Sequence, residues 1–299
     1  MTKYKLQVPA VSNFTPGALA GTQFTVDFPL NYRYHEIYFV YTDGGSSPTD
    51  FLNLVGDLVA FRNGVPARTH TALEMDHLNG LNGSQYQRQQ VGTGAAMRQT
   101  QTMFLAEPWR KSKADTDAMA WNVSPANGFK TFQVKGTLIA TIPSTATLQV
   151  WARVDAVQAL PKGVAAQGVR KVYRVQIPAS GLSNDVTTLD ERDAYQTICL
   201  KNPSGAGYVK QATLKKNGVI IFDTVNQQDN VADLTNLGLN PASSQSTGAF
   251  GYDIVLDADD PLLSALPLTS QDSLWLHLDY NTAASGNVIA LVERIGPLD

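Results

Sequence analysis

The sequence predicts an all-β protein built from two antiparallel β-sandwiches in tandem. Three observations carry that expectation. A series of strand, hairpin, helix and closing strand pair occurs twice in one order, an Asn-Gly dipeptide stands between apolar runs in each half, and long helical periodicity is scarce. At 299 residues the chain also exceeds the roughly 100 to 200 residues of a usual domain. Each half is long enough to bury its own core, and the expected units are residues 1–160 and 161–299.

The stretch FTVDFPL, residues 24–30, alternates Phe24, Val26 and Phe28 on one face with Thr25 and Asp27 on the other, and Pro29 ends it. YRVQIPA, residues 173–179, repeats the formula aromatic, polar, Val, polar, apolar, Pro, apolar. The two are therefore expected to be equivalent first strands. Asn63-Gly64 follows Arg62 in the first half, and Asn217-Gly218 follows Lys216 in the second. An Asn-Gly pair signals a tight hairpin because both turn positions need positive φ. A helix is expected after each hairpin. THTALEMDHLNGLNG (69–83) has a capping box at Thr71 and Glu74, and DNVADLTNLGL (229–239) has Asp229 to cap it, a stripe of Val231, Leu234 and Leu237, and Gly238 to stop it. The halves close with GTLIA (136–140) and ATLQVWARV (146–154), and with SLWLHLDY (273–280) and NVIALVERI (287–295). DAVQALPKGVAAQGV, residues 155–169, reads as the linker, broken by Pro161, Gly163 and Gly168.

Charged residues make up 16% of the chain, well below the roughly 25% of ordinary domains, so the polar surface is largely Thr, Ser, Asn and Gln. The net charge of −3 supplies no basic field for nucleic acid. Cys199 is the one cysteine, which excludes an intrachain disulfide and a Cys-based zinc site. Between Ile198 and Leu200 it is expected to be a buried core thiol. The N-terminus lacks the apolar stretch of a secretory signal, and no window approaches 18 consecutive apolar residues. A soluble chain made inside the cell is expected.

No recognisable motif holds the histidines, His35, His70, His77 and His277. His70, Glu74 and His77 form a zinc donor set if the helix starts early enough, but the spacing is not HExxH, and Thr71 as cap leaves His70 outside the helix. Asp257, Asp259 and Asp260 offer oxygens for calcium. The same acids, with Pro261 in the first helical position, also read as a helix start. No GxSxG elbow occurs, and VGTGAAM lacks the lysine of a phosphate loop. Neither catalysis nor a cofactor is expected. The Gln-rich segment 84–102 reads either as a disordered tract or as an ordered loop at a subunit contact, and with Tyr86 as its one aromatic it does not suit single-stranded nucleic acid. Lys3 and Lys5 read as a solvated terminus or as contacts to an anionic surface.

Taken together, GTQFTVDFPL, YHEIYFVYTDG and LVAFRNGVPARTHT in the first half, and YQTICLKNPSGAGYVKQATLKKNGVIIFDT and FGYDIVLDADDPLLSALPLTSQDSLWLHLDYNTAASGNVIALVERIG in the second, resemble one family. It is the double jelly-roll major capsid proteins of membrane-containing icosahedral viruses, the corticovirus type most of all, with tectivirus and adenovirus capsid proteins more distant. Residues 84–130 depart from the pattern.

The resemblance implies two tandem eight-stranded jelly rolls with short helices, and a structural role without enzymatic activity or cofactors. It implies a homotrimer whose six jelly rolls form a pseudo-hexagonal tile, with neighbouring trimers, minor capsid and vertex proteins, and an internal lipid membrane as partners. Sequence-specific nucleic-acid binding is not implied. The location implied is the capsid of a bacteriophage virion, assembled in the host cytoplasm. Because the N-terminal segment in this family approaches the membrane, Lys3 and Lys5 become candidate lipid contacts, while Asn63, Gly64, Asn217 and Gly218 are structural turns. The rival reading is a carbohydrate- or receptor-binding tandem sandwich, with Trp109 and Trp121 as loop platforms and Trp151 and Trp275 in the core. A glycosidase with paired carboxylates is a third.

Overall fold

The computed structural model describes residues 2–8, 11–45, 48–158, 167–189, 192–256 and 265–297. By its contacts the chain divides into two units, one of residues 1–80, 84–170 and 297–299, the other of 81–83 and 171–296. The expected division at 160/161 lies outside the described residues, as do Asp257, Asp259, Asp260 and Pro261 and the middle of the expected linker. The linker's two ends are strand: Asp155 and Ala156 close one, and Gly168 opens the next.

The first unit runs β1 (Tyr4–Gln7), β2 (Gln23–Asp27), β3 (Tyr32–Thr42), α1 (Phe51–Leu54), β4 (Val55–Arg62), β5 (Val65–Thr71), α2 (Ala72–Leu81), β6 (Gln89–Val91), β7 (Arg98–Phe104), α3 (Lys113–Ala118), β8 (Trp121–Val123), β9 (Phe132–Leu138) and β10 (Thr147–Ala156). One sheet has the order β1-β10-β3-β7-β6, with β8 also on β3, and the other holds β2-β9-β4-β5. Lettering the eight principal strands B to I in chain order, without β6 and β8, gives B-I-D-G against C-H-E-F. Chain neighbours repeatedly switch sheets, and this is a jelly roll. The core between the sheets is aromatic: Phe132 stacks on Phe28 at 4.7 Å between ring centroids and meets Tyr34 and Trp121 edge-on or tilted at 5.2 Å.

The second unit takes β11 (Gly168–Pro178) from Lys171 on, then β12 (Gly181–Val186), β13 (Ala194–Lys201), β14 (Val209–Lys216), β15 (Val219–Asp223), α4 (Gln227–Asn236), β16 (Phe250–Val255), β17 (Leu266–Pro267), β18 (Leu274–Ala284) and β19 (Asn287–Pro297) as far as Gly296. Their orders are β11-β19-β13-β16 and β12-β18-β14-β15, again B-I-D-G and C-H-E-F. Along β18, Leu274, Leu276, Leu278 and Tyr280 are buried while Trp275, His277 and Asp279 face outward, the period-2 alternation of a half-buried strand. Cys199 is a fully buried thiol on β13, and burial above all pushes its pKa well up.

The strand order corrects one expected equivalence. FTVDF is strand C of its unit, whereas YRVQIP ends strand B of the other. The partner of β11 is the short β1, and the partner of β2 is Gly181–Val186, whose exposed, polar face carries no matching alternation. The two stretches look alike because any strand with one buried face and a terminal proline has that form. The hairpins, helices and closing strands do fall at equivalent places.

Candidate functional site

Both Asn-Gly dipeptides join strands E and F. The φ values are 52° and 83° at Asn63 and Gly64, and 51° and 79° at Asn217 and Gly218, the type I′ combination. The asparagine side chains also tie each hairpin to the loop before strand H. Asn63 Nδ2 donates to the Gly128 carbonyl at 2.8 Å, and its Oδ1 accepts from the Lys130 and Thr131 amides at 2.6 and 3.1 Å. Asn217 Nδ2 donates to Asp272 Oδ1 at 2.7 Å, and its Oδ1 accepts from the Ser273 amide at 2.8 Å. The preceding cation reaches the same loop in both units: Arg62 donates to the Gly128 carbonyl at 3.4 Å, and Lys216 pairs with Asp272 at 3.3 Å. The Asn217 hydrogen bond, the Thr269 amide and Lys216 together pull the Asp272 carboxyl down to about 2. The repeated signal, a cation followed by Asn-Gly, therefore marks a corner staple as well as a turn.

After strand F each unit carries a helix. Thr71 and Glu74 form the reciprocal capping box at α2, the Thr71 amide donating to Glu74 Oε2 at 2.8 Å and the Glu74 amide to Thr71 Oγ1 at 3.1 Å. α4 departs from expectation at its start: Asn226 is the N-cap, accepting from the Asp229 amide at 3.0 Å, and Asp229 sits in the first turn. An amide oxygen fills the capping position, and the acid lies instead beside the positive end of the dipole. Gly238, at φ 82°, ends the helix with the Leu239 amide donating to the Leu234 carbonyl. The inner face of α4 is Gln227, Asn230 and Leu234, while Leu237 is exposed. The amides face inward because α4 lies against the edge strand β16: Asn230 donates to the Asp253 carbonyl at 2.8 Å, and Gln227 to Gly251. Asn79 of α2 likewise donates to the Thr102 carbonyl of strand G at 2.7 Å. Amides on these helices thus serve carbonyls at the border of a sheet, where a bare edge would invite foreign strands.

The N-terminal residues lie at the opposite border of the first unit's B-I-D-G sheet. β1 pairs antiparallel with β10, Tyr4 opposite Val154 and Gln7 opposite Trp151. Lys5 is exposed, its ammonium 5.5 Å from the Tyr38 ring. Lys3 differs: its Nζ lies 2.5 Å from Asp117 Oδ1. Beneath that pair His35 is fully buried, Nδ1 3.4 Å from the same Asp117 oxygen and Nε2 3.3 Å from Asp155 Oδ2, with neither ring nitrogen aligned for a hydrogen bond. Arg33 completes the cluster, 3.9 Å from Asp155 and donating to the Asp117 carbonyl. Burial, and then the Lys3 charge, push the His35 pKa down. Burial opposes the Asp117 carboxylate, but Lys3, His35 and Arg33 outweigh it and hold its pKa below the usual range. No sequence motif announces this cluster, because its members come from β1's approach, β3, α3 and β10.

The other candidates resolve individually. His70 belongs to β5, and the Glu74 carboxylate is committed to the capping box, so the alternative zinc set of His70, Glu74 and His77 does not share a helix face. The Gln-rich segment is ordered across β6 and β7, with Gln99 buried and accepting from the Phe51 amide at 2.7 Å. Trp121 is fully buried on β8, and Trp109 packs against Tyr86 and Phe104 with the Arg170 guanidinium 4.8 Å from its ring. Neither presents an open sugar platform. Trp275, expected in the core, lies on the outward face of β18 against Lys215, 4.3 Å away.

Two jelly rolls of one strand order in a single chain define a double jelly roll. No protein-family model matches the sequence, and no curated protein does. Solved structures match over the full length. The major capsid protein P2 from bacteriophage PM2 has a TM-score of 0.72 at 15% identity, covering 100% of this chain and 99% of its own. The STIV MCP, from Sulfolobus turreted icosahedral virus, gives 0.61 at 15% identity, covering 100% and 98%. The Faustovirus major capsid protein gives 0.57 at 8% identity, covering 99% and 90%. What these share with the chain is the double jelly-roll fold.

Proposed function

We propose that this protein is a major capsid subunit whose homotrimers form pseudo-hexagonal tiles of an icosahedral shell around an internal lipid membrane. The observation that carries the reading is the repeated B-I-D-G and C-H-E-F order in one chain, matched end to end by solved proteins that are themselves major capsid proteins. Two like sandwiches per chain supply near-sixfold tiling from threefold assembly. A polar surface poor in charge suits large lateral contacts. The role needs no catalytic group and no cofactor.

The partners are other copies of the chain, neighbouring trimers, and minor and vertex proteins. Assembly takes place in a bacterial cytoplasm, and the mature location is the virion capsid. For contact with an anionic membrane, exposed Lys5 is the better candidate, since Lys3 is paired with Asp117. Asn63, Gly64, Asn217 and Gly218 act structurally, as corners that keep each sandwich closed.

Light scattering on the purified protein tests the reading, followed by electron microscopy of the same sample. A stable species of three times 32.3 kDa with a pseudo-hexagonal outline, or closed shells, is expected. A well-behaved monomer at every concentration would overturn it.

A further inference from the structure

We propose that the first strand is a detachable arm, and that Lys3 on Asp117 beside His35 is its acid-sensitive clasp. The inference concerns the first unit alone and does not depend on the capsid reading. β1 is four residues long and sits at a sheet edge, with Tyr4, Lys5 and Gln7 exposed and Leu6 partly buried. Little apolar area holds it, which is the signature of a segment that opens well before the fold does. Beyond it, Val8 is buried and its amide donates to the Val150 carbonyl at 3.0 Å, so an arm of residues 2–7 pivots there. On the N-terminal side of the strand, Lys3–Asp117 is the one side-chain ion pair described for the arm.

The charge balance at that clasp makes it responsive to protons. Lys3 and Arg33 face Asp117 and Asp155, two cations against two carboxylates, with the His35 ring between them. A proton on His35 leaves an unbalanced positive charge in a buried site, and its Nδ1 then competes with Lys3 for one Asp117 oxygen. Releasing Lys3 relieves both effects. The arm's departure therefore takes up a proton, and the closed state loses stability as pH falls below the ordinary histidine value of 6.5. Asp117 acts in the same sense at lower pH: its pKa is depressed while Lys3 is bound, so its contribution is present above 3.8 and lost below it.

Amide exchange of the full-length protein, read by mass spectrometry at about pH 7.5 and about pH 5.5 and corrected for intrinsic rates, tests this. Residues 3–7 should lose protection about tenfold at the lower pH while the interior of β3 and β10 stays protected. Lys3→Met should exchange fast in the arm at both pH values, with no step. His35→Gln should keep the arm protected at both. Because His35 is buried and that variant can fail to fold, Lys3→Met carries the test by itself. Equal arm protection of the parent protein at both pH values, or a pH step of unchanged size in Lys3→Met, overturns the proposal.

Discussion

Asn217 and Asn63 each do two jobs that other residues can do only separately. Asparagine tolerates positive φ, and its amide binds a loop on the neighbouring strand from both ends. Two substitutions separate the jobs. Gly218→Val forces a β-branched residue to φ 79°, a strain of roughly 1–2 kcal/mol, and should lower the yield of soluble protein. Asn217→Gly keeps the turn and removes the staple. Its urea midpoint should fall, and an unchanged midpoint would show that the turn alone matters. The same variant should flatten the acid limb of stability. With the Asp272 pKa pulled from 3.8 to about 2, that carboxylate's contribution is complete above pH 3.8 and disappears as pH falls through about 2. At Gly136 the constraint is space: a Cβ there would run into the Phe24 ring across the β2–β9 pair. Gly136→Ala should cost about 1–3 kcal/mol by overpacking, read as a lower thermal midpoint.

At the level of elements, the helix after strand F in the second unit, α4, is an edge cover more than a core helix. An apolar stripe was the natural reading of α4, yet amides fill most of its buried face because what it covers is a row of carbonyls. Asn230→Leu should improve the helix's apolar face and still destabilise the unit. Without its amide the buried Asp253 carbonyl loses a donor, at a cost of about 1–3 kcal/mol, and exchange protection along β16 should fall. Protection equal to the parent's would mean that the amide contact contributes nothing. β3 shows the complementary case. It is buried on both faces, so Arg33 and His35 lie inside where simple alternation would send one set of side chains to water. A central strand covered on both sides loses the period-2 signal.

For the whole molecule, duplication is the principal fact. Each unit encloses its own hydrophobic cluster, and both follow the same strand order, so each sandwich has a core of its own. Low surface charge carries a consequence for the proposed homotrimer: its mass by light scattering should be insensitive to added salt, since screening acts on charge pairs and leaves apolar contacts intact. Dissociation on raising ionic strength to about 1 M would point instead to an assembly held by ion pairs.

The sequence by itself determined the all-β class, the two-fold repetition, the Asn-Gly corners, the Thr71–Glu74 capping box, the buried Cys199 and the family resemblance. All of these rest on local rules: strand alternation, turn stereochemistry, capping and composition act within a few residues. Only the tertiary structure decided which strands are equivalent, and it separated FTVDF from YRVQIP because position in a sheet is a long-range property. It also buried Trp121, turned Trp275 outward, directed the α4 amides onto β16, and assembled Lys3, Arg33, His35, Asp117 and Asp155 at one point. Those residues are up to about 150 positions apart, and no periodicity along the chain encodes a meeting that the jelly-roll crossings alone bring about.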